Sequence, residues 1–271
     1  MFADSDGYER FMGRWSRRLA PALVAFGRVE QGDAVLDVGC GTGALSFAAA
    51  AVPGTRVTGI DPAAGYVRRA QAAAGDRVRF QVGDARALPF ADATFDRTLS
   101  LLVLNFVPDP TAAVREMCRV TRPQGVVAAA VWDYGDAMEM LRVFWDEAVA
   151  GNPAAAPRDE RHQPLTRPGE LAALWRTQPL RDVEEQPLHI EMAFSSFDDY
   201  WQPFLGGQGP AGAYAVALSD ADRDAVRARL RTRLLGTGPD RAFTLRARAW
   251  AVRGVVTAAP SRTAAHPAAR R

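Results

Sequence analysis

Apolar positions along the first half of the chain switch repeatedly between two periods. Phe11, Trp15, Leu19 and Leu23 recur four apart, which predicts a helix over 8–26. The short apolar run 35–38 predicts a buried strand, and the Ala-rich stretch 44–51 a helix. Strands at 56–60 and 78–82 bracket a helix that ends near Ala74. The run 95–104 predicts a fourth strand, 111–121 a helix stopped near Pro123, and 125–131 a fifth strand. Such alternation predicts a parallel sheet covered by helices on both faces. Its ligand is expected at the carboxyl ends of the strands.

The second half reads differently. Helices are predicted at 138–149, 170–176 and 220–235, and strands at 184–194 and 242–252. The Pro-rich stretch 151–168 predicts a loop. Together these give an α/β, doubly wound, mostly parallel seven-stranded sheet. A small helical cap, about 195–236, is inserted between the last two strands. One domain is expected over 1–254, with a ligand-binding core at 33–135. Residues 255–271 are rich in Ala, Pro and Arg, hold no acid, and predict a disordered tail.

Composition narrows the classes. The formal net charge of +2 argues against a nucleic-acid partner. All 33 basic residues are Arg, which reads as codon bias rather than anion recognition. The two cysteines, Cys40 and Cys118, have no metal-ligand or disulfide spacing, so no metal is expected. The opening MFADSDGYERFMGRWSRR lacks the apolar centre of a signal peptide, and no apolar run reaches the length of a membrane span. A cytoplasmic protein without a membrane partner is expected, as a monomer or homodimer.

The chemistry concentrates in VLDVGCGTG, residues 35–43. Gly39, Gly41 and Gly43 follow a strand and open a helix, so backbone can approach a ligand closely. Gly39, Gly41 and Ala44 loosely meet a dinucleotide pattern, which keeps a nicotinamide-dependent oxidoreductase as an alternative. Asp37 counts against it: a carboxylate there repels a pyrophosphate and attracts an ammonium. Asp61 ends the next strand, eighteen residues after Gly43, and suits the two hydroxyls of a ribose. Asp84 follows the third strand and could accept from an adenine amine, with the Ala85 N–H serving a ring nitrogen. An ammonium, a ribose, an adenine and no phosphate describe S-adenosylmethionine.

VLDVGCGTG, GIDPAAG, GDARALPF and FDRTLSLLVLNFVPDP occur in order, and residues 35–131 resemble the Rossmann-like (class I) S-adenosylmethionine-dependent methyltransferases. The resemblance implies that Asp37 and the turn (Gly39, Cys40, Gly41, Gly43) hold the methionine end. It also implies that Asp61, beside Pro62, holds the ribose and that Asp84 and Ala85 hold the adenine. Leu101 and Asn105 would lie beside the methyl group. YERFMGRWSRRLAP, FDDYWQPFLGGQGPAGAY and RARAWAVRG resemble a bacterial subgroup of small-molecule methyltransferases. Tyr8, Met12 and Trp15 share a helical face that reads either as core packing of the first helix or as a face that closes over the cofactor, with Tyr8 near its carboxylate; Arg14 could pair with that carboxylate but reads first as a solvated side chain. The aromatic cluster Phe197, Tyr200, Trp201 and Phe204 reads as cap core or as an acceptor wall. Asp133 sits where acceptor contacts are expected. His162 and His189 are weak as bases, so the catalytic residue is unknown. A non-catalytic S-adenosylmethionine-binding or regulatory protein is the second alternative.

Overall fold

A computed structural model describes residues 5–257. The chain opens with a helical turn, α1 (Ser5–Tyr8), a wider π-helical turn (Glu9–Gly13) and α2 (Arg14–Phe26). There follow β1 (Ala34–Val38), α3 (Ala44–Ala50), β2 (Arg56–Asp61), α4 (Ala64–Ala73), β3 (Val78–Val82) and β4 (Phe95–Leu101). After a 3-10 turn (Leu104–Phe106) come α5 (Pro110–Val120), β5 (Thr121–Trp132) and α6 (Glu139–Gly151). The remainder is α7 (Glu170–Arg176), β6 (Leu180–Phe194), α8 (Phe197–Trp201), α9 (Gly209–Ala217), α10 (Asp220–Leu235) and β7 (Phe243–Val256).

The seven strands form one sheet in the order β3-β2-β1-β4-β5-β7-β6. The first five pair in parallel, and β7 runs against both of its neighbours. The expected fold class is therefore the observed one. The central strands are apolar because both faces are covered: every residue of β5 from Gly125 to Trp132 is buried. One core joins α2, α3 and the cap to one face; a second joins α5 and α7 to the other. The Trp175 Nε1–H of α7 donates to the Val127 carbonyl of β5 at 3.0 Å. The outer strand β6 is charged and carries Pro187, features that protect an exposed edge.

Between β6 and β7 the chain makes α8, a 3-10 turn (Gln202–Gly206), α9 and α10. α10 buries only Val226, Leu230 and Leu235. It is anchored instead by Arg227 on Asp198 and by Arg233 on Asp146 and Glu147.

Several boundaries move; β5 starts at Thr121 and β6 at Leu180, earlier than expected. β4 ends at Leu101, because Leu102 takes a left-handed φ of 64° and turns the chain. The 151–168 segment is not all loop: 3-10 turns occupy Pro153–Arg158 and Glu160–His162. Val255 and Val256 belong to β7, where Val255 pairs with Val126, so the tail expected from residue 255 starts inside a strand. The rest of that expected tail, 258–271, lies outside the described residues. Among the described residues no helix is long and apolar enough to cross a membrane.

Candidate functional site

A cavity of about 480 Å³ opens at the carboxyl ends of β1, β2, β3, β4 and β5. The glycine turn is its floor. The Gly39 and Cys40 amides both donate to the Ile60 carbonyl, at 2.8 and 3.0 Å, which binds the turn to β2. Gly39 has φ 75°, and a Cβ there would lie 2.5 Å from Val103. At Gly41 (φ 51°) a Cβ would meet only the Tyr66 ring, at 4.0 Å, so this stretch of backbone faces open space. Gly43 is not in the cavity wall. Its φ of 94° starts α3, and a Cβ would strike Phe47 at 2.6 Å; its role is to turn the chain.

Asp37 lines the cavity at 1% exposure. Its Oδ2 accepts from the Ser46 hydroxyl at 2.6 Å, while Oδ1 is buried without a hydrogen-bond partner. Burial pushes its carboxyl up to about 7; the Ser46 bond opposes this and nearby Asp61 adds to it. Asp61 accepts from the Gly41 and Ala63 amides at 2.9 and 2.8 Å, and burial raises its carboxyl. Its carboxylate thus shapes the turn. Asp84 also lines the cavity, but Arg86 clamps it with contacts of 2.6–3.1 Å. That bond lowers the Asp84 carboxyl to about 2.

Cys40, Pro62, Ala85, Leu101 and Tyr8 join the same wall. Tyr8 meets Ser16 through its hydroxyl at 3.1 Å and Tyr66 at 5.5 Å between ring centroids. Trp15 does not reach the cavity; it packs on Phe194 at 5.2 Å. The π-helical turn explains why. Its extra residue per turn rotates α2, so Tyr8, Met12 and Ser16 face inward and Trp15 turns to the core. Arg14 pairs with Asp199 at 2.7 Å. Asn105 is buried in the 3-10 turn after β4, outside the lining. Asp133 is held by Arg248 at 2.6 Å and by the Trp250 Nε1–H at 3.1 Å. Phe197, Tyr200, Trp201 and Phe204 are cap core, with Phe204 stacked on Phe144 at 4.5 Å. His162 and His189 lie away from the cavity. No metal-binding group of acids, His and Cys exists among the described residues.

Glu160, Trp132, Tyr134, Leu141, Gly209 and Pro210 complete the wall. Glu160 and Tyr134 have no sequence signal, since the segments carrying them lack periodicity. A fifth-strand end was expected to approach the ligand, and Trp132 does so.

Residues 36–129 match the methyltransferase domain family. An uncharacterized protein of Mycobacterium tuberculosis is 34% identical over 145 residues, 51% of this chain and 53% of that protein. The 27-O-demethylrifamycin SV methyltransferase of Amycolatopsis mediterranei is 37% identical over 116 residues, 41% of this chain and 43% of that enzyme. The chain thus spans about half the length of the curated relatives it matches. In fold it resembles Haemonchus contortus phosphoethanolamine N-methyltransferase 2, solved with phosphomonomethylethanolamine and S-adenosylhomocysteine: TM-score 0.57, 16% identity, 94% of this chain and 57% of that one.

Proposed function

We propose that the chain, whose residues 36–129 match the methyltransferase domain family, is a class I S-adenosylmethionine-dependent methyltransferase that methylates a small-molecule acceptor held between the strand ends and the cap. The observation that carries this reading is the orphaned Asp37 Oδ1. A buried acceptor atom without a donor is costly, and its residue lines a cavity. An ammonium group would satisfy it. The open space over Gly41 supports the cofactor's backbone-hugging end there. We assign the ribose to Asp61 and the adenine to Asp84 and Ala85, which line the same cavity, the Asp84 carboxylate sharing its lone pairs with Arg86.

When bound, S-adenosylmethionine supplies a methyl group already activated on a sulfonium. The chain's task is alignment, and orientation of this kind is worth roughly 7–11 kcal/mol in favourable cases. Asp37 and the open backbone at Gly41 hold one end of the ligand, and Tyr8, Met12 and Phe11 close over it and exclude water. The acceptor then enters beside Trp132 and Leu141. We place this work in the cytoplasm, without a nucleic-acid or membrane partner, in a monomer or homodimer.

Thermal unfolding with S-adenosylhomocysteine, S-adenosylmethionine and NADH in parallel tests the reading. A ligand at 100 times its dissociation constant stabilises by about 2.7 kcal/mol. The adenosyl ligands should raise the midpoint and NADH should not. A rise with NADH alone overturns the proposal. Binding without methylation across a broad acceptor panel would turn it into a non-catalytic cofactor-binding protein.

A further inference from the structure

The cavity has a polar floor, where Asp37, Asp61 and Asp84 stand at the strand ends, and a largely apolar roof. Glu160 is the charged residue of that roof, at 2% exposure. It arrives on the 3-10 turn Glu160–His162, between α6 and α7. One carboxylate oxygen accepts from the Trp145 Nε1–H of α6 and the other from the Ala211 amide of α9, the latter at 3.1 Å. These donors, and the residue's own backbone amide, are neutral. An ionised carboxylate offers about four lone-pair sites, so the protein does not use all of them.

The groups around Glu160 leave its charge uncompensated. Asp159, from its own segment, is an acid. Arg142 of α6 is bound to Asp159, which also takes Arg161. Tyr134, from the link between β5 and α6, is a neutral phenol raised by burial and by Glu160. Burial is the main reason that the Glu160 carboxyl holds its proton up to about 8; bonds from its own amide and that of Ala211 oppose this, Asp159 adds to it and Arg142 opposes it slightly. A buried acid without a contacting cation is expensive as pure scaffolding. Beside a cavity, it has the makings of a proton acceptor.

We propose that Glu160 receives the acceptor's proton, and that the acceptor is a neutral, largely apolar molecule bearing a hydroxyl, such as a phenol, at the atom to be methylated. This rests on the methyltransferase reading above. The acceptor oxygen gives its proton to the Glu160 carboxylate and a lone pair to the methyl carbon. The carbon–sulfur bond breaks with its electron pair left on sulfur, and Glu160 ends as the neutral acid. Phe11, Phe106, Trp132 and Pro210 supply the apolar walls that such a ring would fill. A protonated amine suits the site poorly, since its lone pair is already taken.

The test uses 4-nitrophenol, whose visible absorbance reports its own ionisation, bound to the S-adenosylhomocysteine-saturated protein. Two acids in one pocket titrate as a coupled pair. At pH 9 the free ligand is the phenolate and free Glu160 is ionised, so seating the phenolate beside Glu160 in the wild type should take up about one proton, which the pair then shares. Calorimetry in buffers of different ionisation enthalpy counts it. Glu160→Gln, with no carboxylate to protonate, should take up none there. Glu160→Asp, which keeps the charge and withdraws it slightly, should behave like the wild type. Stabilisation by S-adenosylhomocysteine, measured on each variant, shows that its fold and cofactor site survive. If Glu160→Gln loses that stabilisation, proton uptake by the wild type and Glu160→Asp decides instead. Equal uptake in Glu160→Gln, no uptake by the wild type, or no binding of millimolar 4-nitrophenol to the wild type overturns the proposal. Failure of the wild type to bind S-adenosylhomocysteine would instead overturn the methyltransferase reading beneath it.

Discussion

Replacing Asp37 by Asn keeps the shape of a buried side chain and removes its charge. In the wild type, burial raises the carboxyl from 3.8 to about 7, so the folded state holds a proton that the unfolded chain releases. The sign follows: this contribution to stability is fully present below pH 3.8 and is lost as pH rises through 7. Between pH 5 and pH 7 the loss is two pKa units at about 1.36 kcal/mol each, or roughly 3 kcal/mol. For a chain of this size that is roughly 6–12 °C in the unfolding midpoint. A side-chain amide cannot ionise, so Asp37→Asn should flatten the pH dependence by that amount while Glu160 continues to titrate. The constant cost of the amide cancels, because each protein is compared with itself at two pH values. Calorimetric melting at pH 5 and pH 7, without ligand, is the assay. The same variant should bind S-adenosylhomocysteine about 10–150-fold more weakly, the loss of one charge-assisted hydrogen bond worth about 1.5–3 kcal/mol. An unchanged pH slope together with unchanged affinity would refute the assignment of Asp37 as a buried, ammonium-seeking acid.

Two comparisons probe the scaffold. Gly39 and Gly32 both have positive φ, 75° and 84°, but a Cβ meets Val103 at 2.5 Å in the first and nothing within 4 Å in the second. Gly39→Ala should therefore lose the roughly 1–2 kcal/mol of left-handed strain that Gly32→Ala also loses, plus the clash; equal melting points would contradict the turn geometry. Asp159→Asn leaves Arg142 buried without its partner and should cost about 3–5 kcal/mol. Adding Arg142→Met should recover much of that in denaturant titration, and a double variant no better than the single would show that the pair is not coupled.

Some of this architecture could be read directly. β3, α7 and α10 have the bounds that their local patterns predict, because Pro, Gly and caps such as Ser219 punctuate them. The three acids at successive strand ends are legible because topology brings every strand's carboxyl end to one rim. What sequence could not give is phase and distance. The spacing of Tyr8, Met12 and Trp15 names a face, yet one π-helical turn moves Trp15 off it. Asn105 sits beyond a left-handed Leu102, which redirects the chain before the asparagine arrives. Glu160 lies in an aperiodic stretch whose place at the cavity is decided by the preceding α6 and by α9, 51 residues on.

The ladder between β6 and β7 continues to Phe194 opposite Phe243, at the foot of the cap. The cap is thus an outgrowth of one hairpin, and both of its ends are clamped by the same sheet. Its sequence can drift, lengthen or be exchanged with little disturbance to the five parallel strands that carry the glycine turn and the acids. Evolution, or an engineer grafting residues 195–242 from a relative, can vary the roof of the cavity while inheriting its floor intact.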